Sequence, residues 1–458
     1  MHVGRDRGNS YRRPEALGEL RSADHPSISR NRRSLPRTAR RRRHRDVLSL
    51  VLALVTLTSC AIGTEKTERT ANAGCDAPGV SPGAIKVGLM YPNTGILSEA
   101  FTPARSGVEA RIGLANQTGG INGRRVDLVW RDDAGAADTN GLTAKDLVEK
   151  DHVFGLIELS TAVSGSADYL DRNGVPVTGL TAESLWNDHA NMFSFSYLFA
   201  KGTAVTTVGQ YAKAQGGTRA VVLEDAVGGP TGEIADQLTA SLKSQGIDVV
   251  RRIGLTTGWS SASWAADEII ASQADVIVGT VAMSSIAETL AAVRAEGGNP
   301  KAVLSPTGYN PDLLREQGPA IAGLTIWLNY TPFESQSPAI RRYQEAMAEF
   351  APELDAPDQE VAVASYISAD LFLRGLEAAG PCPTRQAFIT NLRKVTDYDA
   401  GGLVPGTINL SQNRGKPNTC YAFVRANATA DGFDVVRDSK GSGQWCGQLI
   451  HEPAAGNE

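Results

Sequence analysis

The sequence predicts an α/β protein built as two doubly wound parallel-sheet lobes, and three observations lead there. From Ile85 onward, short runs rich in β-branched residues alternate with amphipathic stretches, the signature of βαβ units with helices on both faces of a parallel sheet. The alternation restarts near residue 202, giving two successive blocks of similar construction. The connections between segments are short, so the blocks form one two-lobed unit.

In the first block, residues 85–91 (IKVGLMY) read as a strand and 104–117 as a helix. Residues 125–131 (RVDLVWR) are a strand, 140–150 a helix, 153–159 (VFGLIEL) a strand, 163–172 a helix and 175–180 (VPVTGL) a strand. The second block opens with a helix over 202–214, then a strand at 219–224 and a helix at 231–245. A strand at 248–254, a helix at 263–272, a strand at 275–280 and a helix at 284–296 follow. Strands at 302–306 and 323–330 close it. Three helices come next, at 338–350, 361–379 and 384–395, and the tail holds strand-like runs at 406–410 (GTINL), 420–426 and 433–438.

The composition is globular: 458 residues, 41% hydrophobic and 21% charged, which excludes a disordered chain, a coiled coil or a fibre. The net charge of −5 hides an asymmetry. Residues 1–59 hold fourteen Arg and five acids, so the remainder is strongly acidic and offers no case for binding nucleic acid. The basic run at 37–45 precedes twelve apolar or small residues at 47–58, too few to cross a bilayer and suited to a secretory signal over 1–59. Residues 57–60 (LTSC) resemble the lipobox of bacterial lipoproteins, which makes Cys60 the lipidated residue and 60–83 a flexible tether. The chain is then expected to be exported and lipid-anchored at the outer face of the cytoplasmic membrane. Four cysteines remain, Cys75, Cys382, Cys420 and Cys446. An oxidising compartment favours two structural disulfides, and three pairings are open.

Catalytic and cofactor signatures are missing. There is no GxxxxGK[ST] loop and no GxGxxG between strand and helix, and GGPTGE (228–233) lacks a Lys for a phosphate. No GxSxG elbow occurs. Only His152, His189 and His451 lie beyond residue 59, and the cysteine spacing fits no zinc motif, so neither a metal nor a cofactor is expected and an enzyme is disfavoured.

Residues 90–134 (MYPNTGILSEAFTPARSGVEARIGLANQTGGINGRRVDLVWRDDA) resemble the opening of type I periplasmic binding proteins. Within that fold they are most similar to the leucine/isoleucine/valine-binding family of ABC-transporter substrate-binding lipoproteins. The features that carry the likeness are Thr94-Gly95, Asn116, Gly119 to Gly123 and Asp132-Asp133. Ser160-Thr161, Gly174 to Val177 and Ser305 to Gly308 continue it. The resemblance implies lobes joined by a three-strand hinge, with lobe 1 at 84–198 plus 329–405 and lobe 2 at 199–328 plus 406–450. It implies a small-molecule solute, ABC permease subunits as partners, attachment to the membrane and a monomeric chain.

The resemblance also implies where the ligand sits. A ligand carboxylate would be held by Ser160 and Thr161 after one strand and by Leu180, Thr181 and Ala182 after the next, where amides and a helix N-terminus meet an anion without Lys or Arg. The alternative for Ser160 and Thr161 is simple capping of the helix that follows. Asp225 through Gly229, Val281 and Ala282 through Met283, and Thr307 through Tyr309 would face the cleft from the second lobe. Thr307 stands where the family's amino-acid binders carry an acid for the ligand ammonium, and aromatic contacts are replaced by Thr280, Val281 and Ala282. A small organic acid or amide with an apolar body is therefore expected to bind better than a branched-chain amino acid, unless Asp225 or Glu183 supplies the missing charge. A clamshell sensor, which should lack a lipobox or carry an effector domain, and a secreted α/β enzyme are the competing functions.

Overall fold

The computed structural model describes residues 75–451, apart from 96–97, 201, 227–230, 257 and 430. The chain divides into two units, 1–66 and 67–458, and every described residue belongs to the second. The expected signal, Cys60 and most of the tether lie outside the described residues, as does Gly229.

Strand β1 (Ala84–Tyr91) buries Ile85, Val87 and Leu89 in the core, which places it at the sheet interior. It lies between β2 (Arg125–Asp132) and β3 (Leu156–Glu158), and β4 (Val177–Gly179) and β5 (Met192–Phe193) complete a five-stranded parallel sheet in the order β2-β1-β3-β4-β5. Its connections carry α1 (Ser98–Phe101), α2 (Ala104–Gln117), α3 (Ala137–Lys145, prolonged by a π-helical turn) and α4 (Ala167–Arg172).

After β6 (Thr203–Val205) and α5 (Thr207–Ala214), the alternation resumes with β7 (Arg219–Asp225), α6 (Thr231–Ser244) and β8 (Asp248–Leu255). It continues through α7 (Trp259–Ala271), β9 (Val276–Gly279), α8 (Met283–Ala295), β10 (Ala302–Ser305), α9 (Pro311–Gln317) and β11 (Leu324–Leu328). These strands order themselves β8-β7-β9-β10-β11, all parallel, repeating the arrangement of the first sheet. Both lobes are thus doubly wound, as the alternation predicted.

The chain then returns to the first lobe. Helices α10 (Pro338–Phe350), α11 (Glu360–Ala379) and α12 (Arg385–Leu392) pack there, with α10 and α11 against α2. Helix α11 is buried along most of its length because its apolar residues surround the axis, and Thr178 on β4 donates to the Ser368 carbonyl at 2.8 Å. The tail forms β12 (Cys420–Ala426), β13 (Phe433–Val435), β14 (Gln444–Cys446) and β15 (Leu449–His451).

Three expectations are corrected here. The helix read over 202–214 starts only at Thr207, because 203–205 are taken up as β6 by antiparallel pairing with β15. Residues 406–410 form no strand; Ile408 makes one isolated bridge to Tyr398, and Leu410 bonds back to Val395. The second sheet is mixed rather than wholly parallel, since β12 pairs antiparallel with β11, β13 and β14. The four described cysteines join as Cys75–Cys382 and Cys420–Cys446, which resolves the open pairings.

Candidate functional site

In open α/β sheets ligands bind beyond the carboxyl ends of the strands, at the point where strand order reverses. Here the order reverses between β1 and β3 and between β7 and β9, and the carboxyl ends of the strands beside those points, β4, β9 and β10, open onto one space. A cleft of about 370 Å³ lies there, lined from the first lobe by Leu180, Thr181, Ala182 and the start of α11, and from the second by Thr280, Pro306 and Thr307. Its floor is formed where the chain passes between sheets, by Phe195 to Leu198, Leu328 to Tyr330 and Pro417. Asn418 ties two of these passages together, donating to the Phe195 carbonyl at 3.0 Å and lying 3.4 Å from the Asn329 side-chain oxygen.

The expected ligand residues divide into two sets. Leu180, Thr181, Ala182 and Thr307 line the cleft. Thr181 is buried with its hydroxyl committed, donating to the Ser196 carbonyl at 2.7 Å. Thr307 is exposed, and its amide donates to Ser305 Oγ at 3.1 Å. The second set does not line the cleft. Ser160 is fully buried and its Oγ accepts from the Ala162 amide at 3.1 Å, a local turn bond; the helical turn at Val163–Gly165 itself starts from Ala162 with no side-chain cap. Thr161 is half-buried beside it. Asp225 is exposed at the end of β7, Val281 is packed in the apolar core, and Ala282 is exposed at the start of α8. Tyr309 is buried, stacked on Phe333 at 5.5 Å, with its hydroxyl donating to Glu334 and accepting from the Phe333 amide. Glu183, one suggested source of a negative charge, accepts instead from the Ser164 amide at 3.0 Å.

The structure adds residues that sequence reasoning missed. Trp327, Tyr330 and Tyr421 supply aromatic surface, and Val205, Ile234 and Leu238 supply aliphatic surface. Two hydroxyls in the lining, Tyr330 Oη and Thr280 Oγ1, are buried and bond to no other described group. Glu360, the first residue of α11, is the sole charged side chain among the described lining residues. Water reaches it inside the cleft, yet protein surrounds it so closely that desolvation raises its carboxyl to about 7. The adjacent Tyr330 phenol is pushed well above its ordinary value, by burial first and by the Glu360 charge second. In sequence Glu360 reads only as a first-turn acid ahead of an apolar helix, so nothing local marks it as a cleft residue.

Chemically, the cleft can enclose a small apolar body and offer hydroxyls and one carboxylate to its polar groups. No nucleophile–base pair lies in it, and no group of three His, Cys, Asp or Glu is arranged for a metal among the described residues.

A sequence model of the periplasmic binding protein family matches residues 84–432. Over 101 residues the chain is 34% identical to a Leu/Ile/Val-binding protein homolog of Brucella melitensis, a stretch that spans 21% of this chain and only 27% of that relative. Solved structures share the fold. A substrate-binding protein of an Aeropyrum pernix ABC transporter aligns with a TM-score of 0.64 at 15% identity, covering 80% of this chain and 96% of its own. A solute-binding protein of an ABC transporter from R. palustris, in complex with 4-hydroxybenzoate, aligns at 0.63 and 18% identity over 80% and 98%. The branched-chain amino acid transporter substrate-binding protein of Streptococcus pneumoniae, in complex with isoleucine, aligns at 0.60 and 16% over 77% and 99%.

Proposed function

Because the chain belongs to the periplasmic binding protein family, we propose that it captures a small solute between its lobes and delivers it to an ABC permease. The family consists of solute-binding proteins, not enzymes, and an extracytoplasmic location follows from it. The observation that supports capture is the cleft itself, lined from both sheets and floored by the segments that connect them. A solute touching both walls favours the closed arrangement by its differential contacts, the energetic basis of a hinge-bending trap.

The proposed solute has an apolar body and a polar end, as in an amino acid, a small carboxylate or an amide. Leu180, Thr181, Ala182 and Thr307 make its contacts at the mouth, and the aromatic residues hold the body. The lobes are proposed to meet near residues 198, 328 and 405, with 408–413 still bonded to first-lobe residues through Tyr398, Val395 and Ser194. A monomer anchored through lipid on Cys60 fits a receptor that must stay near its permease.

Two measurements test this reading. Thermal-shift screening against amino acids, aromatic and aliphatic acids and amides should find one chemical class that stabilises the protein, by about 2.7 kcal/mol at a hundredfold excess over Kd. The same compounds should compact it in small-angle scattering; a screen with no stabilising compound and no compaction would sink solute capture. For the anchor, wild type should partition into detergent and Cys60→Ser should be released as soluble protein, and retention of the mutant with the wild type would contradict lipidation.

A further inference from the structure

We propose that the first lobe carries a second binding site, separate from the cleft, that takes the carboxylate of a small organic acid on Arg111, Arg342 and Tyr366. The inference does not depend on solute capture in the cleft.

The site is a cavity of about 360 Å³ bounded by α2, α10, α11 and residues 400–403, and it shares no lining residue with the cleft. Arg111 reaches it from α2. Its Nε donates to Asp370 Oδ1 on α11 at 2.7 Å, and the two side chains are only 18% and 17% exposed. Tyr398 donates to the other Asp370 oxygen at 3.0 Å, so that carboxylate is engaged on both sides and holds the guanidinium in one orientation. The terminal nitrogens of Arg111 bond to no other described group, which leaves the end-on pair of its fork open to a second carboxylate.

Arg342 comes from α10. Its Nη2 donates to the Gly401 carbonyl at 2.6 Å, and no carboxylate pairs with it among the described residues. Glu377, the other acid of the lining, lies 3.4 Å from Arg374. Three guanidinium groups therefore face two carboxylates, and the excess positive charge stands on Arg342.

Tyr366 supplies the third contact. The residue is buried, its ring packs edge-on against Tyr343 at 5.2 Å, and it lines the cavity. Its hydroxyl bonds to no described group, yet it is not among the polar atoms sealed inside the protein. Burial pushes the phenol up to about 12, with the Asp370 charge adding to the rise and the Arg111 and Arg342 charges pulling against it, so both cations lie around this one hydroxyl. A donor held there without a partner is costly, and a bound carboxylate oxygen relieves it. Leu114, Ala115, Ile121, Ala339 and Leu403 line the rest of the cavity and leave room for a short apolar body. An amine would meet two cations instead, and a neutral amide would gain the hydroxyl but not the charge.

The test is a fluorine NMR titration of the purified protein with 4,4,4-trifluorobutyrate and its amide, 4,4,4-trifluorobutyramide. The acid should bind at least about tenfold more tightly than the amide. Arg342→Gln should weaken it about tenfold or more, and Tyr366→Phe about threefold or more. Neither substitution removes the partner of a buried charge, so both proteins should melt with wild type, which separates lost recognition from lost folding. Thr307→Trp, which obstructs the mouth of the cleft instead, should leave this affinity unchanged. If the cleft takes the acid as well, the titration resolves two classes of site and Arg342→Gln removes only one. Inorganic phosphate should compete at least about tenfold more weakly than the acid binds. Overturning results are no binding of the acid, equal binding of the amide, an affinity that either cavity variant leaves unchanged, or phosphate outcompeting the acid. Each of these leaves solute capture standing on its own screen.

Discussion

At the scale of single residues, the loop that follows β3 is positioned by a buried polar network. Asn140 donates to Glu158 at 2.8 Å and to Asp133 at 2.9 Å, and Ser166 donates to Glu158 at 3.0 Å. Glu158 is fully buried, and burial raises its carboxyl to about 7 despite those two hydrogen bonds, with the Asp133 charge adding to the rise. A carboxyl whose folded pKa exceeds its unfolded value near 4.5 stabilises fully only below that lower value, and the contribution is lost as pH rises through about 7. Glu158→Gln should therefore stabilise the protein at pH 8, on the order of 2–3 kcal/mol, with the advantage vanishing below about pH 4.5. Denaturant melts across that range would check it, and a pH-independent difference would contradict it. Little at this scale was legible in the sequence. Ser160 was visible as a hydroxyl after a strand, but whether it faces a ligand or accepts from the Ala162 amide two residues on depends on a rotamer. Glu360 was invisible because its exposure to the cleft depends on where a distant helix begins.

At the scale of elements, the contact between α2 and α11 sets how the start of α11 reaches the cleft. Gly107 permits it: a Cβ there would fall 2.2 Å from the Ala362 carbonyl oxygen and 2.3 Å from Ser365 Oγ. Gly107→Ala gains up to about 1 kcal/mol in helix propensity but overpacks the crossing at a cost of about 1–3 kcal/mol, so the net change is expected to be destabilising. A melting temperature equal to or above wild type would contradict that close approach. Elements of seven or eight residues with strong patterning, such as β1 and β7, were legible from alternation and β-branched content. Pieces such as β5, β6 and β14 were not, because two or three residues carry no period and their existence depends on pairing with β4, β15 and β12. The run at 406–410 failed for the opposite reason. It has strand composition, but its neighbour Tyr398 lies in a turn region that offers one bridge and no ladder.

At the scale of the whole molecule, the number of cysteines was legible and their pairing was not, since pairing is a statement about distance in the fold. Cys420–Cys446 joins two strands already paired in register, whereas Cys75–Cys382 spans 307 residues of sequence. The oxidised protein should show no free thiol from these four residues under denaturing conditions. Cys75→Ser combined with Cys382→Ser should cost about 2–4 kcal/mol, read as a lowered unfolding midpoint, and an unchanged midpoint would mean the cross-link constrains nothing. The double-lobed plan was the most legible feature of all, because it follows from a pattern repeated over hundreds of residues rather than from any one contact. The long-range disulfide has a mechanical meaning as well. Arg124 bridges the same two segments, donating to the Ser81 carbonyl at 2.9 Å and the Pro381 carbonyl at 2.6 Å. A pull exerted through the chain ahead of Cys75 is thus carried across a covalent bond into the segment before α12, and β1 is not peeled from the centre of its sheet. Under tension, reduction of that one bond would redirect the load onto the hydrogen-bonded ladder of β1.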